Sequence, residues 1–395
     1  MNVTKQELTN RINLFIKHMN QANPGWDTAF FMSHVNQYYF MGTMQDALLC
    51  IKSTGDISYF ARRSFERAKD ESPLSELIYP MKSYRDAADI IGADCGNVFF
   101  ETEVVTYAIL QRMQKYLNFD SINSLDKIIS MQRAVKSDYE LQCLKQAGRL
   151  HHDYLNNVVP DLFYEGMSEA ELCGKLYETM LRHGHDGTAR FSMFQNEIGI
   201  GQIGFGVSSL YPTSFDGPAG SKGLSAAVPF VGNRDIKLKP GDLILVDCAF
   251  NVEGYQSDKT QMYYFKAKVP ESAKKVHRKC MEIEELAASM LRPGAVPSDI
   301  YDTIQNGLDP KFADGFMGYQ NRTVKFLGHG VGLYIDEMPV IAKGFSMPLQ
   351  KNMTIALEPK KGLQEIGLVG VEDTFLVTDN GGECITGHCS EIIEI

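Results

Sequence analysis

The chain has 395 residues, of which 44% are hydrophobic, and a formal net charge of −10. This length exceeds a typical single core, so we expect two domains. The negative charge, without a basic cluster to offset it, argues against a nucleic-acid partner. The apolar runs are too short to span a bilayer, which argues against a membrane protein.

The N-terminal stretch has neither a basic region nor an apolar core of the kind found in signal peptides, so we expect a cytoplasmic protein. Eight cysteines are scattered along the chain without CxxC spacing. This pattern predicts reduced, mostly buried thiols, and neither a disulfide framework nor a zinc knuckle.

The first third of the chain alternates helix and strand patterns. The stretch 4–7 has the form of a capping box and precedes apolar residues at helical spacing. Strand-like apolar segments follow at 28–32, 47–52 and 57–61, with a turn sequence between the last two. We predict a mixed α/β domain over residues 1–132.

Two capping boxes, at 137–140 and 168–171, open the second part of the chain and predict two consecutive helices. Glycine-rich sequence and a predicted hairpin follow. Two further helices are then predicted near 272–291 and 298–308, before a strand-rich tail. The order helix, helix, sheet occurs twice, which predicts a domain over residues 133–395 with an internal architectural duplication.

The predicted hairpin spans 241–265 and carries two aspartates. A turn centred between Val252 and Glu253 would place Asp247 directly opposite Asp258. Directly opposed residues have Cβ atoms about 4.5–5.5 Å apart, a separation at which two carboxylates repel each other unless a cation lies between them. Exposure on a solvated sheet face is the alternative. It suits Asp258 better than Asp247, which follows an apolar run and would bury a charge.

Three later stretches add metal-ligand side chains. His329 lies between glycines, Glu358 ends an apolar strand, and Glu372 is predicted in the middle of a strand. Each alone is more often an ordinary polar residue. With Asp247 and Asp258 they form an oxygen-rich set suited to Mn²⁺, Fe²⁺ or Co²⁺, with Zn²⁺ possible.

Charge balance favours two ions in this set. The four carboxylates contribute −4, which two divalent cations cancel while leaving room for a bridging hydroxide. Paired ions about 3.5–4 Å apart lower the pKa of a shared water and polarise a carbonyl. We therefore predict a dinuclear metal-dependent hydrolase.

The sequence resembles the pita-bread metallohydrolases, which include methionine aminopeptidase, aminopeptidase P, prolidase and creatinase. Four features carry the resemblance: the spacing of the two aspartates, the GHGVG stretch, the E-P pair and the V-E-D-T stretch. The stretch 36–60 resembles the creatinase/prolidase N-terminal domain, and 133–148 resembles the usual entry to the catalytic domain. The resemblance covers nearly the whole chain. It implies an α/β (α+β) fold in which a creatinase/prolidase-like domain precedes a pita-bread domain with duplicated ααββ halves.

The resemblance also implies roles for the five residues. Asp247 would chelate one metal ion, and Asp258 and Glu372 would bridge the two ions. His329 and Glu358 would hold the second ion, and Glu358 would exchange protons with the bridging water. The implied protein is a homodimer that hydrolyses Xaa-Pro peptides, as an aminopeptidase or dipeptidase.

Two positions depart from the pattern of the peptidases. Phe230 stands where they carry a histidine before the first ligand strand, and Asp336 stands where a second histidine follows His329. Asp336 is the candidate acid or cation-binding carboxylate. With Phe230 as an aromatic face, it would also suit a small cationic or zwitterionic substrate. The alternative function is thus a creatinase-like C–N hydrolase or a metal-dependent lyase. A binding module without catalysis ranks lower, since all five ligands are present.

Other stretches carry residue types that also occur in functional sites. The loop 211–218 is a candidate pocket lining through Tyr211 and Phe215, although a purely structural loop is about as well supported. The GxGxxG match at 199–204 lacks a following helix pattern, so a dinucleotide site is not predicted. Surface or capping roles are predicted for the histidine pairs at 151–152 and at 183 and 185.

Overall fold

A computed structural model describes residues 3–192, 199–388 and 391–395. The chain divides into two compact units, Met1–Arg133 and Ala134–Ile395. The seven cysteines within the described ranges are free thiols and six of them are buried, as predicted. Cys389 lies outside the described residues.

Among its described residues, the first unit contains a six-stranded mixed sheet and six α-helices. Its helices are α1 Lys5–Ala22, α2 His34–Met41, α3 Phe65–Glu71, α4 Tyr84–Ile91, α5 Tyr107–Met113 and α6 Asp126–Ala134. Its strands are β1 Thr28–Phe31, β2 Ala47–Lys52, β3 Ile57–Ala61, β4 Ile78–Pro80, β5 Asn97–Phe100 and β6 Ser121–Ser124. The strand order is β4-β3-β2-β1-β5-β6.

Local sequence explains the first helix and the first hairpin of this unit. The Thr4 side chain accepts a hydrogen bond from the Glu7 N–H at 3.2 Å, which satisfies a free donor at the start of α1. Strands β2 and β3 are antiparallel neighbours. Gly55, in the turn between them, has φ +95°, a conformation that favours glycine.

The second unit contains five α-helices and thirteen strands among its described residues. The helices are α7 Asp138–Asp153, α8 Glu169–Arg182, α9 Glu271–Ser289, α10 Pro297–Gly307 and α11 Pro310–Ala313. The strands are β7 Gly201–Phe205, β8 Leu243–Val252, β9 Tyr255–Tyr264, β10 Gly318–Tyr319, β11 Arg322–Thr323, β12 Phe326–Gly330, β13 Glu337–Ala342, β14 Thr354–Leu357, β15 Lys360–Leu363, β16 Gly367–Gly370, β17 Asp373–Thr378, β18 Gly381–Cys384 and β19 Ile393–Glu394.

These strands form three sheets, with the orders β19-β9-β8-β7, β13-β12-β14-β17-β18 and β11-β10-β15-β16. Both predicted capping boxes are present: Ser137 pairs with Glu140 at the start of α7, and Ser168 with Glu171 at the start of α8. The helix pairs α7/α8 and α9/α10 each precede strands, in the predicted order. The GxGxxG match at 199–204 overlaps β7, and a short 3-10 helix at Gly206–Leu210 follows that strand.

None of the helices in the described ranges is both long enough and apolar enough to cross a membrane.

Candidate metal centre

The hairpin β8–β9 carries both aspartates, in a register that differs from the prediction. Val252 pairs with Tyr255, so the turn consists of Glu253 and Gly254 alone. Their φ angles are +52° and +77°, as in the tight turns that suit the twist of a hairpin.

The prediction that Asp247 and Asp258 are directly opposed is therefore wrong. Asp247 pairs with Thr260, and Asp258 pairs with Ala249. The turn centre lies one residue later than predicted, which moves each cross-strand partner by two positions. An even shift keeps both carboxylates on the same face of the sheet.

Strand β12 positions the histidine. The ring nitrogen Nδ1 of His329 lies 3.1 Å from the carbonyl oxygen of Gly330, and a carbonyl only accepts, so Nδ1 carries the proton. Nε2 then faces the acidic groups. It lies 3.9 Å from Asp258 Oδ2, 3.6 Å from Glu358 Oε1 and 4.0 Å from Glu372 Oε1. This is the orientation of a metal-binding histidine.

The two glutamates lie where the chain passes between sheets. Glu358 follows β14 directly, as predicted. Glu372 lies between β16 and β17 and makes an isolated bridge with Thr260, so its prediction as a mid-strand residue is wrong. The Thr260 hydroxyl donates to Glu372 Oε2 at 3.0 Å. The Thr374 hydroxyl donates to the carbonyl of Asp258 at 2.9 Å, so threonines hold both ligands in place.

Lys360, the first residue of β15, lies in the middle of this acidic set. Its Nζ is 3.1 Å from Asp247 Oδ2, 2.8 Å from Glu358 Oε2 and 2.6 Å from Glu372 Oε2, and its side chain is 0% exposed. The residues predicted from the sequence did not include this lysine. No local pattern marked it, because Glu358 follows β14 and Lys360 begins β15, so the two residues do not share one strand.

Gly370 makes room for the lysine stem. It pairs with Lys360 across β15 and β16. A Cβ added at Gly370 would lie 2.4 Å from the Pro359 carbonyl oxygen and 2.6 Å from Lys360 Cγ, so a larger residue would displace the stem.

Burial and mutual repulsion shift the protonation of the acidic set. Burial raises the pKa of Asp247, Asp258, Glu358 and Glu372, and the neighbouring carboxylates raise those of the two aspartates further. Burial lowers the pKa of Lys360, but the three carboxylates around it outweigh burial and raise it well above its ordinary value. The amine is therefore an ammonium ion at neutral pH.

The donor set divides into two groups that could each hold a metal ion. Asp258, His329 and Glu372 form one, and Asp247, Glu358 and Glu372 form the other, with ligand atoms within 4.8 Å of one another in each. The first group offers a nitrogen and carboxylate oxygens, which fit a divalent cation such as Mn²⁺, Fe²⁺ or Zn²⁺. In the second group all three carboxylates contact Lys360 Nζ.

A pocket opens onto the centre and is lined by all five predicted ligands, Asp247, Asp258, His329, Glu358 and Glu372. Asp336 and Phe215 also line it. Burial raises the pKa of Asp336, while the neighbouring His329 lowers it.

The other two candidate substrate residues are placed differently. Tyr211 lines a separate pocket, which it shares with Phe215. Phe230 is half-buried and is not among the described residues that line the pocket over the centre. Roles for Tyr211 and Phe230 in binding stay predictions.

Two histidines predicted as surface or capping residues are buried. His151 is 0% exposed, with Nδ1 3.1 Å from Ser257 Oγ and Nε2 3.4 Å from Cys248 Sγ. His185 is 4% exposed, and its Nδ1 accepts from the Asn251 N–H at 3.0 Å. The surface prediction is wrong for both, because their rings pack against Phe250. His183 does lie at the C-terminal cap of α8.

Two protein-family models and several known proteins match this chain. The model of metallopeptidase family M24 matches residues 142–379, and that of the creatinase/prolidase N-terminal domain matches 11–135. An Xaa-Pro dipeptidase of Pyrococcus horikoshii is 24% identical over 93% of this chain and 94% of its own length. An Xaa-Pro dipeptidase of Pyrococcus furiosus is 23% identical over 97% of this chain and 99% of its own.

Solved structures share the fold. Prolidase from Pyrococcus furiosus matches with a TM-score of 0.75 and 22% identity, over 94% of this chain and 99% of that one. Xaa-Pro dipeptidase from Bacillus anthracis matches with a TM-score of 0.79 and 19% identity, over 98% of this chain and 100% of that one. The predicted fold, a creatinase-like domain followed by a pita-bread domain, is confirmed, as is the prediction of a metal-dependent hydrolase. The chain belongs to metallopeptidase family M24.

Proposed function

We propose that this protein is an Xaa-Pro peptidase, acting on dipeptides or on the N-termini of short peptides. The observation that carries the proposal is the convergence of His329 and four carboxylates on one pocket, in a chain of family M24. Two of the relatives that match over nearly its whole length are Xaa-Pro dipeptidases. No comparable observation favours the small-cation alternative.

The residues on the His329 side would hold the metal ion: His329, Asp258, Glu358 and Glu372. A divalent ion bound there lowers the pKa of a bound water and polarises a carbonyl. Glu358 would move the proton from that water to the leaving amine, since Oε1 faces His329 while Lys360 holds Oε2. Asp336, in the same pocket, is suited to bind the free ammonium group of a dipeptide.

The test is an assay of the purified protein loaded with Mn²⁺, Co²⁺ or Fe²⁺. The substrates are Xaa-Pro dipeptides, longer Xaa-Pro peptides, and small quaternary and guanidino compounds. We expect hydrolysis of the Xaa-Pro bond, and we expect Asp258→Asn to lower kcat/KM by at least about 10²-fold, because the ion loses a ligand.

A matched control is Asp235→Asn, since Asp235 is exposed and lies outside the pocket. Turnover of the small cationic compounds without peptide hydrolysis would refute the proposal. So would peptide hydrolysis that Asp258→Asn leaves unchanged.

Further properties predicted from the sequence remain predictions. Mn²⁺, Fe²⁺ or Co²⁺ is the expected metal, the protein is expected to be a homodimer, and a cytoplasmic location is expected. The pair of ions with a bridging hydroxide is not retained in this proposal, because Lys360 already contacts the carboxylates that a second ion would need.

A further inference from the structure

We infer that the centre holds a single divalent ion, and that the ammonium group of Lys360 takes the place of a second one. This inference deepens the proposed function and rests on its metal-dependent site. It concerns the number of ions, which can be measured without any substrate.

The positions of the carboxylate oxygens carry the inference. Glu358 and Glu372 each direct Oε2 to Lys360 Nζ, at 2.8 and 2.6 Å. Each directs Oε1 toward His329 Nε2, at 3.6 and 4.0 Å. Each glutamate therefore contacts the ammonium group with one oxygen and faces His329 with the other. A carboxylate that bridges two metal ions divides its oxygens in the same way.

The His329 side offers one nitrogen and three oxygens. Asp258 Oδ2, Glu358 Oε1 and Glu372 Oε1 lie 3.6–4.0 Å from His329 Nε2. Two donors that each lie about 2.0–2.2 Å from one shared ion can be at most about 4.0–4.4 Å apart. This side thus fits one ion.

The Asp247 side does not fit a second ion while the lysine is in place. Asp247 Oδ2 lies 3.1 Å from Lys360 Nζ, so the donors of this group surround the ammonium. A divalent cation at the same spot would overlap Nζ. A divalent cation beside the ammonium group would be strongly repelled, because two positive charges in a buried site are poorly screened from each other.

The ammonium also supplies part of the positive charge that the acidic set needs. Four carboxylates contribute −4, the ammonium +1 and one divalent ion +2, which leaves −1.

The lysine is also fixed in place by its surroundings. Its side chain is 0% exposed, and its stem passes over Gly370, which has no side chain to obstruct it. Lys361, the next residue of β15, points elsewhere and donates to the carbonyl of Phe312 at 3.0 Å. Lys361 therefore supplies a matched control on the same strand.

The experiment is a count of bound ions in the full-length protein. Metal-stripped protein is saturated with Mn²⁺, freed of excess by gel filtration, and analysed for metal per chain. We expect one ion in the wild type, two in Lys360→Ala, one in Lys361→Ala and none in Asp258→Ala. The electron paramagnetic resonance spectrum of the wild type should be that of isolated Mn²⁺, without exchange coupling.

Two ions per wild-type chain, or an exchange-coupled spectrum, would overturn the inference, as would a wild type that binds none. One ion in a folded Lys360→Ala protein would also overturn it. If that variant does not fold, the wild-type count and spectrum still decide. A wild type with one ion and no activity on Xaa-Pro peptides would refute the proposed function and leave this inference standing.

Discussion

At the scale of single residues, the centre is defined as much by a lysine as by its acids. The five predicted ligands are of the types expected for the family, and they converge. Lys360 adds a fixed positive charge that three of them already contact. The same side chain that compensates the buried carboxylates in the absence of metal also limits how many metal ions they can accept.

Asp336 and Phe230 occupy the two positions that depart from the family pattern, and they allow a prediction about substrate handling. Asp336 lines the pocket over the centre, whereas Phe230 does not appear among its described lining residues. We expect Asp336→Ala to lower kcat/KM on the best Xaa-Pro substrate by about 10²-fold, as for loss of a positioned acid or base. Phe230→Ala should change it by less than about threefold.

Steady-state kinetics of both variants, on protein with wild-type metal content, is the measurement. Equal losses in the two variants would place Phe230 in the site. Unchanged kinetics in Asp336→Ala would remove Asp336 from it.

At the scale of elements, backbone packing decides which glycines are replaceable. Gly148 in α7 and Gly174 in α8 are both helical. A Cβ at Gly148 would lie 2.2 Å from the carbonyl oxygen of Ile385, whereas no described atom lies within 4 Å of a Cβ at Gly174. The same substitution should therefore have opposite effects at the two sites.

We expect Gly174→Ala to raise the free energy of unfolding by about 0.5–1 kcal/mol, because alanine is the better helix former. Gly148→Ala should lower it by about 2 kcal/mol, because the helix must move away from the Ile385 backbone. Chemical denaturation followed by circular dichroism measures both. A stabilising Gly148→Ala would contradict the packing described for α7.

At the scale of the whole molecule, stability should depend on pH through buried neutral histidines. Burial lowers the pKa of His185 from 6.5 to about 4. The unfolded chain takes up a proton as the pH falls through 6.5, and the folded protein does not until about 4. Stability from this residue is therefore complete above about pH 6.5 and is lost as the pH falls toward 4.

The test compares the wild type with His185→Asn, whose amide oxygen can still accept from the Asn251 N–H but does not titrate. Between pH 7 and pH 5 the wild type should lose about 2 kcal/mol more of its free energy of unfolding than the variant. Thermal unfolding of metal-free protein across this range gives the difference. His151 and the acidic centre are present in both proteins, so their contributions cancel, and a constant difference would contradict the prediction.

The sequence by itself determined the features that depend on neighbouring residues. Capping boxes at Ser137 and Ser168 marked the starts of two helices, because a cap and its partner lie three residues apart. The strands β2 and β3 have the predicted bounds, since their apolar runs end at turn residues. The ligand types followed from motifs that are short and local.

The tertiary structure alone decided how these pieces meet. The register of β8 and β9 depends on which two residues of the turn adopt positive φ, and the sequence allowed a turn one residue earlier. The burial of His151 and His185 depends on the ring of Phe250, which is distant in the chain. Lys360 contacts Asp247 and Glu372 only because strands of separate sheets converge there. A lysine's partners are set by that convergence, since a long flexible side chain carries no local signal of the charge it will meet.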